Sequence, residues 1–218
     1  MSVQAVRPRT SGTAHWVATC GRRETPTESG KGLIMTMFTR HDITSAPEQA
    51  RPVMANTAKG FGFVPAPVAL MAESPELLEG FMSGNALFGR TTLSALEREV
   101  LILTMATTVE CHYCVAMHSS VLARQDADAA LIEALRARKP LNEPKLEAMR
   151  VFTLAVMEGH GHVRPEVMET FLGAGYTRRN ALEVVLGLGV YTLSTYANRM
   201  TDAPLDEPLR AFGWHAEH

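Results

Sequence analysis

Two thiols, an imidazole and a carboxylate fall in one short stretch of this chain: Glu99, then Cys111-His112-Tyr113-Cys114, then His118. Cys111, Cys114 and His118 stand at i, i+3 and i+7, so on an α-helix they share one face, with His118 one turn from Cys114. A thiol so placed can give up its proton to a neighbour and become a nucleophile. The same side chains would also supply three zinc ligands, with His112, His160 or His162 as a fourth. A structural zinc site usually draws a second ligand pair from a recognisable knuckle, however, and the chain has no second CxxC and no HxxxH. A thioredoxin-like assignment would need strands around the CxxC, whereas both flanks read as helix.

Glu99 joins this group only if the chain turns back. On one continuous helix, a rise of ~1.5 Å per residue would hold Glu99 about 22 Å from Cys114. Ser94-Ala95-Leu96-Glu97 reads as a capping box that opens a helix carrying Leu96, Val100, Leu101, Leu103 and Met105. The β-branched run Thr107-Thr108-Val109 then weakens helix propensity. The expected arrangement is an antiparallel helix hairpin turning near residues 108 and 109, which sets position 99 opposite position 118 and yields the relay Glu99, His118, Cys114. Thr107 or Thr108 would cap the second helix. The CxxC would then lie in its first turns, where the partial positive charge of a helix N-terminus lowers a thiol pKa.

The rest of the chain reads as helix after helix, with no convincing period-2 strand. Helices are expected from Asp42 to about Ala58, Pro67 to Ala72, Pro75 (capped by Ser74) to about Leu87, about 126 to 138, Glu143 to about Gly159, Pro165 to Ala174, and Arg178 to about Met200. The fold class is therefore all-α. Gly187-Leu188-Gly189 lies inside a helical pattern, follows no strand and lacks the third glycine of a dinucleotide fingerprint, so close helix packing explains it better. Gly159-His160-Gly161-His162 reads as a solvated glycine loop. On the final helix, Tyr191 and Asn198 are candidates to line a pocket beside the hairpin.

Composition bounds the rest. The chain has 218 residues, 46% of them hydrophobic, and a net charge of −2. That is enough apolar material for one core, and it offers no basic patch for nucleic acid and no run of ~20 apolar residues to cross a bilayer. Three cysteines, one of them the isolated Cys20, make no disulfide framework; a CxxC without a secretion signal fits a reducing, cytoplasmic setting. Residues 1–34 differ in kind. They carry five basic residues against two acidic ones, are rich in Ser, Thr, Gly and Pro, and lack apolar periodicity, so they are expected to be a disordered or non-native extension ahead of a single domain over residues 35–218. Apolar helices at 77–87 and 181–193 offer more face than a monomer of this size hides, which predicts a homo-oligomer.

The pattern of Glu99, Cys111-x-x-Cys114 and His118 resembles the alkylhydroperoxidase D-like (AhpD-like) proteins of the carboxymuconolactone decarboxylase superfamily. The likeness is strongest over about residues 60 to 200. It implies an AhpD-like helical fold built around the CxxC hairpin, and a thiol peroxidase acting on alkyl hydroperoxides or hydrogen peroxide. In that reading Cys114 attacks the peroxide, Cys111 resolves it as a disulfide, and Glu99 and His118 relay protons; no cofactor or metal is required. A dithiol protein, thioredoxin-like or lipoyl-bearing, would restore the thiols. The spacing agrees, since Cys111 has no base at i+4. One departure stands out: first-described members carry a histidine immediately before the second cysteine, where this chain has Tyr113, whose hydroxyl could donate to a thiolate. Two alternatives remain open, a decarboxylase-like enzyme using Glu99 and His118 as acid and base, and a zinc-binding protein.

Overall fold

The computed structural model describes residues 37–216, and among them it is all-α, without a strand. The expected extension over residues 1–34 and Cys20 lie outside the described residues. After a short 3-10 turn at Glu48–Ala50 come α1 (Arg51–Phe61), α2 (Ala66–Met71), α3 (Pro75–Gly89), α4 (Ala95–Thr108), α5 (His112–Arg124), α6 (Ala129–Arg136), α7 (Pro144–Glu158), α8 (Pro165–Gly173) and α9 (Arg178–Met200). A last 3-10 turn follows at Glu207–Phe212. No helix here is long and apolar enough to cross a membrane.

Local chemistry sets these boundaries. The Ser74 side chain accepts from the Leu77 N–H ahead of Pro75. At α4 the predicted capping box is complete: Ser94 Oγ accepts from the Glu97 N–H at 3.2 Å and Glu97 Oε2 accepts from the Ser94 N–H at 2.7 Å. The helix expected from Asp42 begins only at Arg51, because the Asp42 carboxylate takes the Thr44 and Ser45 N–H groups at 2.7 Å each and holds the chain in a turn.

The hairpin turn also differs from expectation. Thr107 and Thr108 do not cap α5; their hydroxyls bond back to the Leu103 and Thr104 carbonyls and keep both residues in α4. The helix ends directly after them in a Schellman motif, with Cys111 N–H on the Ala106 carbonyl, Glu110 N–H on that of Thr107, and Glu110 itself at φ 56°. Cys111 becomes the N-cap residue of α5. The same closure recurs with non-glycine residues at Asp126, Arg138, His160 and Asp202. His160 is thus the left-handed residue that stops α7, and both His160 and His162 are exposed, as expected of a solvated loop.

The main core forms around α4, buried on nearly every side from Glu97 to Thr107 and packed against α5, α7 and α9. A smaller cluster, including Met54, Val68, Met71 and Leu78, joins α1, α2 and α3. Gly187 of α9 lets Phe88 of α3 lie on the helix backbone: a Cβ there would come within 2.7 Å of the ring. Gly187→Val is therefore expected to destabilise the fold by about 1–3 kcal/mol, read as a lower urea midpoint at unchanged slope. Gly189, two residues on, meets nothing within 4 Å.

Candidate active site

The hairpin brings the predicted residues together. Glu99 on α4 and His118 on α5 meet with Oε2 2.8 Å from Nδ1, both largely buried. With a carboxylate as acceptor, Nδ1–H is the donor, which leaves Nε2 as the imidazole nitrogen available to take or give a proton. Tyr191 of α9 supports the ring edge-on, with centroids 5.2 Å apart, and its hydroxyl donates to Asn85 Oδ1.

The two cysteines are free thiols, Cys111 at the mouth of α5 and Cys114 in its first turn, each nearly sealed from solvent. Their polar partner comes from α9. Asn198 Nδ2 donates to Cys114 Sγ at 3.2 Å and lies 4.0 Å from Cys111 Sγ; Ser194 Oγ stands 3.9 Å from Cys114. His118 makes no hydrogen bond to either sulfur, so a proton passing between Cys114 and the imidazole must cross through water or substrate. Asn198 and Tyr191 were anticipated as lining residues. Ser194 was not, although its place one turn before Asn198 on the same helix face was a usable signal.

The thiols titrate as a pair. The Cys111 thiol is held below its ordinary value, first by the hydrogen bond from the Cys114 thiol and further by the Asn198 amide, against the opposing effect of burial. Cys114 is pushed well up, by that same shared hydrogen bond and by burial. The first proton therefore leaves the pair early and the second is retained. Alkylation of the folded protein should accelerate with pH and level off below the ~8.5 typical of free cysteine. For stability the two thiols act in opposite directions: the lowered Cys111 pKa contributes stability at pH above the ordinary thiol value that fades as pH falls through the lowered one, whereas the raised Cys114 pKa contributes stability below the ordinary value that is lost as pH rises through the raised one.

Cys114, His118 and Glu99 open onto one cavity of about 320 Å³; Cys111 does not line it. Its wall is mainly apolar, with Phe81, Phe88, Ile102 and Met117 among the residues of α3, α4 and α5, and α1 and α2 close it from the far side. Asn198 Oδ1 is buried there without a hydrogen-bond partner. Among the described residues no group of three or more His, Cys, Asp or Glu side chains could hold a metal ion, and His112 Nε2 is bonded to the Ala203 carbonyl at 3.0 Å. The zinc alternative thus finds no donor set among the described residues.

Tyr113 is placed differently from expectation. Its ring lines the cavity, but its hydroxyl donates to Asp206 Oδ2 at 2.8 Å instead of to a thiolate. Burial first, and this hydrogen bond second, raise the phenol far above its usual value, so it remains a protonated donor. Asp206, buried at the start of the last 3-10 turn, also takes the Ala66 N–H at 2.9 Å and Arg40 Nη2 at 3.3 Å. It ties α2, α5 and the C-terminal segment together, a role no motif announced. Tyr113→Phe is expected to cost about 1.5–3 kcal/mol of stability, as for a hydrogen bond to a charged group, while alkylation of the thiols keeps its rate. A chemical melt and an alkylation time course check the two halves.

Residues 75–154 match the model of the carboxymuconolactone decarboxylase family. No curated protein matches the chain. Among solved structures, an uncharacterized peroxidase-related protein from Ralstonia eutropha JMP134, described as an alkylhydroperoxidase AhpD core, has a TM-score of 0.69 at 19% identity, covering 79% of this chain and 94% of that one. A peroxidase-related protein from Silicibacter sp. TM1040 gives 0.66 at 19% identity over 79% and 94% of the two chains. A variant of the debrominase Bmp8 in complex with 2,3,4-tribromopyrrole gives 0.65, again at 19% identity, over 82% and 96%. The family match spans the CxxC hairpin, and the fold around it is shared with these AhpD-core and peroxidase-related structures.

Proposed function

We propose that the protein is a thiol-dependent peroxidase that reduces an alkyl hydroperoxide or hydrogen peroxide through a Cys111/Cys114 dithiol-disulfide cycle. The observation that carries this reading is the shared cavity: Cys114 faces it beside the Glu99–His118 pair, with Cys111 behind. The Cys114 thiolate attacks the distal peroxide oxygen, the O–O bond breaks, and Cys114 becomes a sulfenic acid while the alkoxide leaves. His118, oriented by Glu99, delivers the proton that turns alkoxide into alcohol. Cys111 then displaces hydroxide from the sulfenic sulfur, giving water and the disulfide, which a dithiol partner reduces. Burial of both sulfurs implies that the hairpin mouth must open to that partner.

The test is a thiol titration before and after one equivalent of cumene hydroperoxide or hydrogen peroxide. Loss of two thiols per chain, with one equivalent consumed, supports the cycle; retention of both thiols over a full excess of either peroxide overturns it.

The apolar wall and the debrominase fold neighbour favour one second reading, reduction of a carbon–bromine bond in a small apolar aromatic compound. The same dithiol balances that chemistry: bromine passes to Cys114 as the ring carbon gains a proton, and Cys111 displaces bromide to form the disulfide. Stoichiometric bromide release from a bromopyrrole, without peroxide turnover, would select it.

A further inference from the structure

α9 meets the cysteine pair with two polar side chains, Ser194 and Asn198, one turn apart on one helix face and both buried. Asn198 Nδ2 carries two protons, and three atoms lie in reach: Cys114 Sγ at 3.2 Å, Ser194 Oγ at 3.4 Å and Cys111 Sγ at 4.0 Å. One proton goes to Cys114 and the other to Ser194, whose own O–H is then free to turn toward Cys114 Sγ, 3.9 Å away. The sulfur in the cavity wall thus has two donors from α9, and the sulfur behind it has only the longest contact of one. We propose that Ser194 and Asn198 are positioning residues that draw the negative charge of the pair onto Cys114, a role that rests on the dithiol cycle proposed above.

The cycle needs such a device. Cys111 gives up the first proton of the pair and Cys114 keeps its own, so the charge starts on the sulfur that does not line the cavity. When the shared proton crosses to Cys111, the thiolate left on Cys114 receives both α9 donors, and hydrogen bonds to a charged acceptor are roughly twice as strong as neutral ones. No other titratable neighbour supplies them. Glu99 and His118 are bonded to each other, and the phenols of Tyr113 and Tyr191, held protonated first by burial, give their hydroxyls to Asp206 and Asn85.

The orphaned oxygen of Asn198 points the same way. Oδ1 is buried without a partner, a cost that an apolar residue at this position would not carry. A thiol could donate to that oxygen, whereas a thiolate can only accept, and the amide stands with its N–H side on the sulfur. The same donors bear on the redox step. A disulfide sulfur is uncharged and a weak acceptor, so Ser194 and Asn198 favour the reduced pair and make the Cys111–Cys114 disulfide the stronger oxidant. In that exchange two electrons and two protons pass from a partner's thiols to Cys111 and Cys114, and the partner is left as its own disulfide.

The test is titration of the folded chain by ultraviolet thiolate absorbance, in a Cys20→Ser background so that only the pair is read. With Cys111→Ser, Asn198→Ala should raise the Cys114 pKa enough to cut its thiolate fraction about tenfold at neutral pH, and Ser194→Ala, which removes a single oxygen, should act in the same direction. With Cys114→Ser, either change should move Cys111 less than half as far. Asn198→Asp keeps the packing but turns a carboxylate on the sulfur, so it should raise the Cys114 pKa beyond Asn198→Ala. In the intact pair, equilibration with reduced and oxidised dithiothreitol should favour the disulfide about tenfold more in Asn198→Ala than in wild type, ~30 mV for a two-electron couple. None of these readouts uses peroxide, so a protein that shows the shifts but turns over no peroxide refutes the peroxidase reading and supports the placement of charge. Equal shifts at the two cysteines, Asn198→Asp titrating like wild type, or a Cys114 pKa indifferent to both Asn198→Ala and Ser194→Ala overturns the proposal.

Discussion

Cys114→Ser is expected to abolish peroxide consumption, whereas Cys111→Ser should still consume one equivalent and stop at a sulfenic acid on Cys114. The asymmetry follows from where the sulfurs lie. Cys114 lines the cavity with His118 and Glu99, and Cys111 is set behind it at the N-cap of α5, outside the cavity wall. Both share the Asn198 amide, so either mutant keeps a donor for the remaining thiolate. The pair loses its first proton at the expense of Cys111, and Cys114 keeps the second. Attack by Cys114 therefore requires the single shared proton to move onto Cys111, a shift along their own hydrogen bond. In Cys111→Ser the serine hydroxyl can still donate to the Cys114 thiolate but cannot displace hydroxide from its sulfenic acid, so the oxidised state is trapped. Labelling by a dimedone-type reagent, located by mass spectrometry, should mark position 114 only. A label at Cys111 in the Cys114→Ser protein, with peroxide consumed, would reverse the roles and detach His118 from the attacking thiol.

The hairpin was readable because its evidence is local. A capping box at Ser94 and Glu97, an apolar run and a spacing of nineteen residues between Glu99 and His118 suffice to place a carboxylate against an imidazole, and the 2.8 Å contact is the result. The turn falls at residues 109–111, within a residue or two of the expected place, but its capping differs. Sequence reading looks for glycine or a hydroxyl cap, whereas this chain closes helix after helix with a non-glycine left-handed residue, Glu110 here and Asp126, Arg138, His160 and Asp202 elsewhere. Only the competition between the threonine hydroxyls and the peptide carbonyls, decided within α4, extends that helix to Thr108. Asp206 was invisible for another reason. Its partners Arg40, Ala66 and Tyr113 are 166, 140 and 93 residues away, and nothing local marks an aspartate near a chain end as a buried junction. The Tyr113 hydroxyl, which by sequence could donate to a thiolate, is taken by this distant carboxylate.

Glu99→Gln should lower peroxidase turnover by about 10² to 10⁴-fold, equivalent to about 3–5 kcal/mol of transition-state stabilisation, while leaving the fold intact. The substitution is nearly isosteric, and Glu99 is buried beside His118, so replacing its carboxylate with a neutral amide removes a charge the fold must otherwise desolvate. What it removes from the reaction is specific. The glutamine oxygen can still accept from Nδ1–H and hold the ring in place, but it cannot stabilise the imidazolium that His118 becomes when it takes up the proton it will deliver to the departing alkoxide. The step slowed is therefore O–O cleavage. Disulfide formation should proceed once the sulfenic acid exists, and the mutant should still lose two thiols given time and excess peroxide. His118→Gln should show a loss of the same order, and the double mutant little more than either single one, because two residues acting as one relay are not additive. Stopped-flow measurement of thiol loss separates these cases. A Glu99→Gln rate equal to wild type would mean that the Glu99–His118 pair is a structural contact beside the cavity, with the protons carried by water alone.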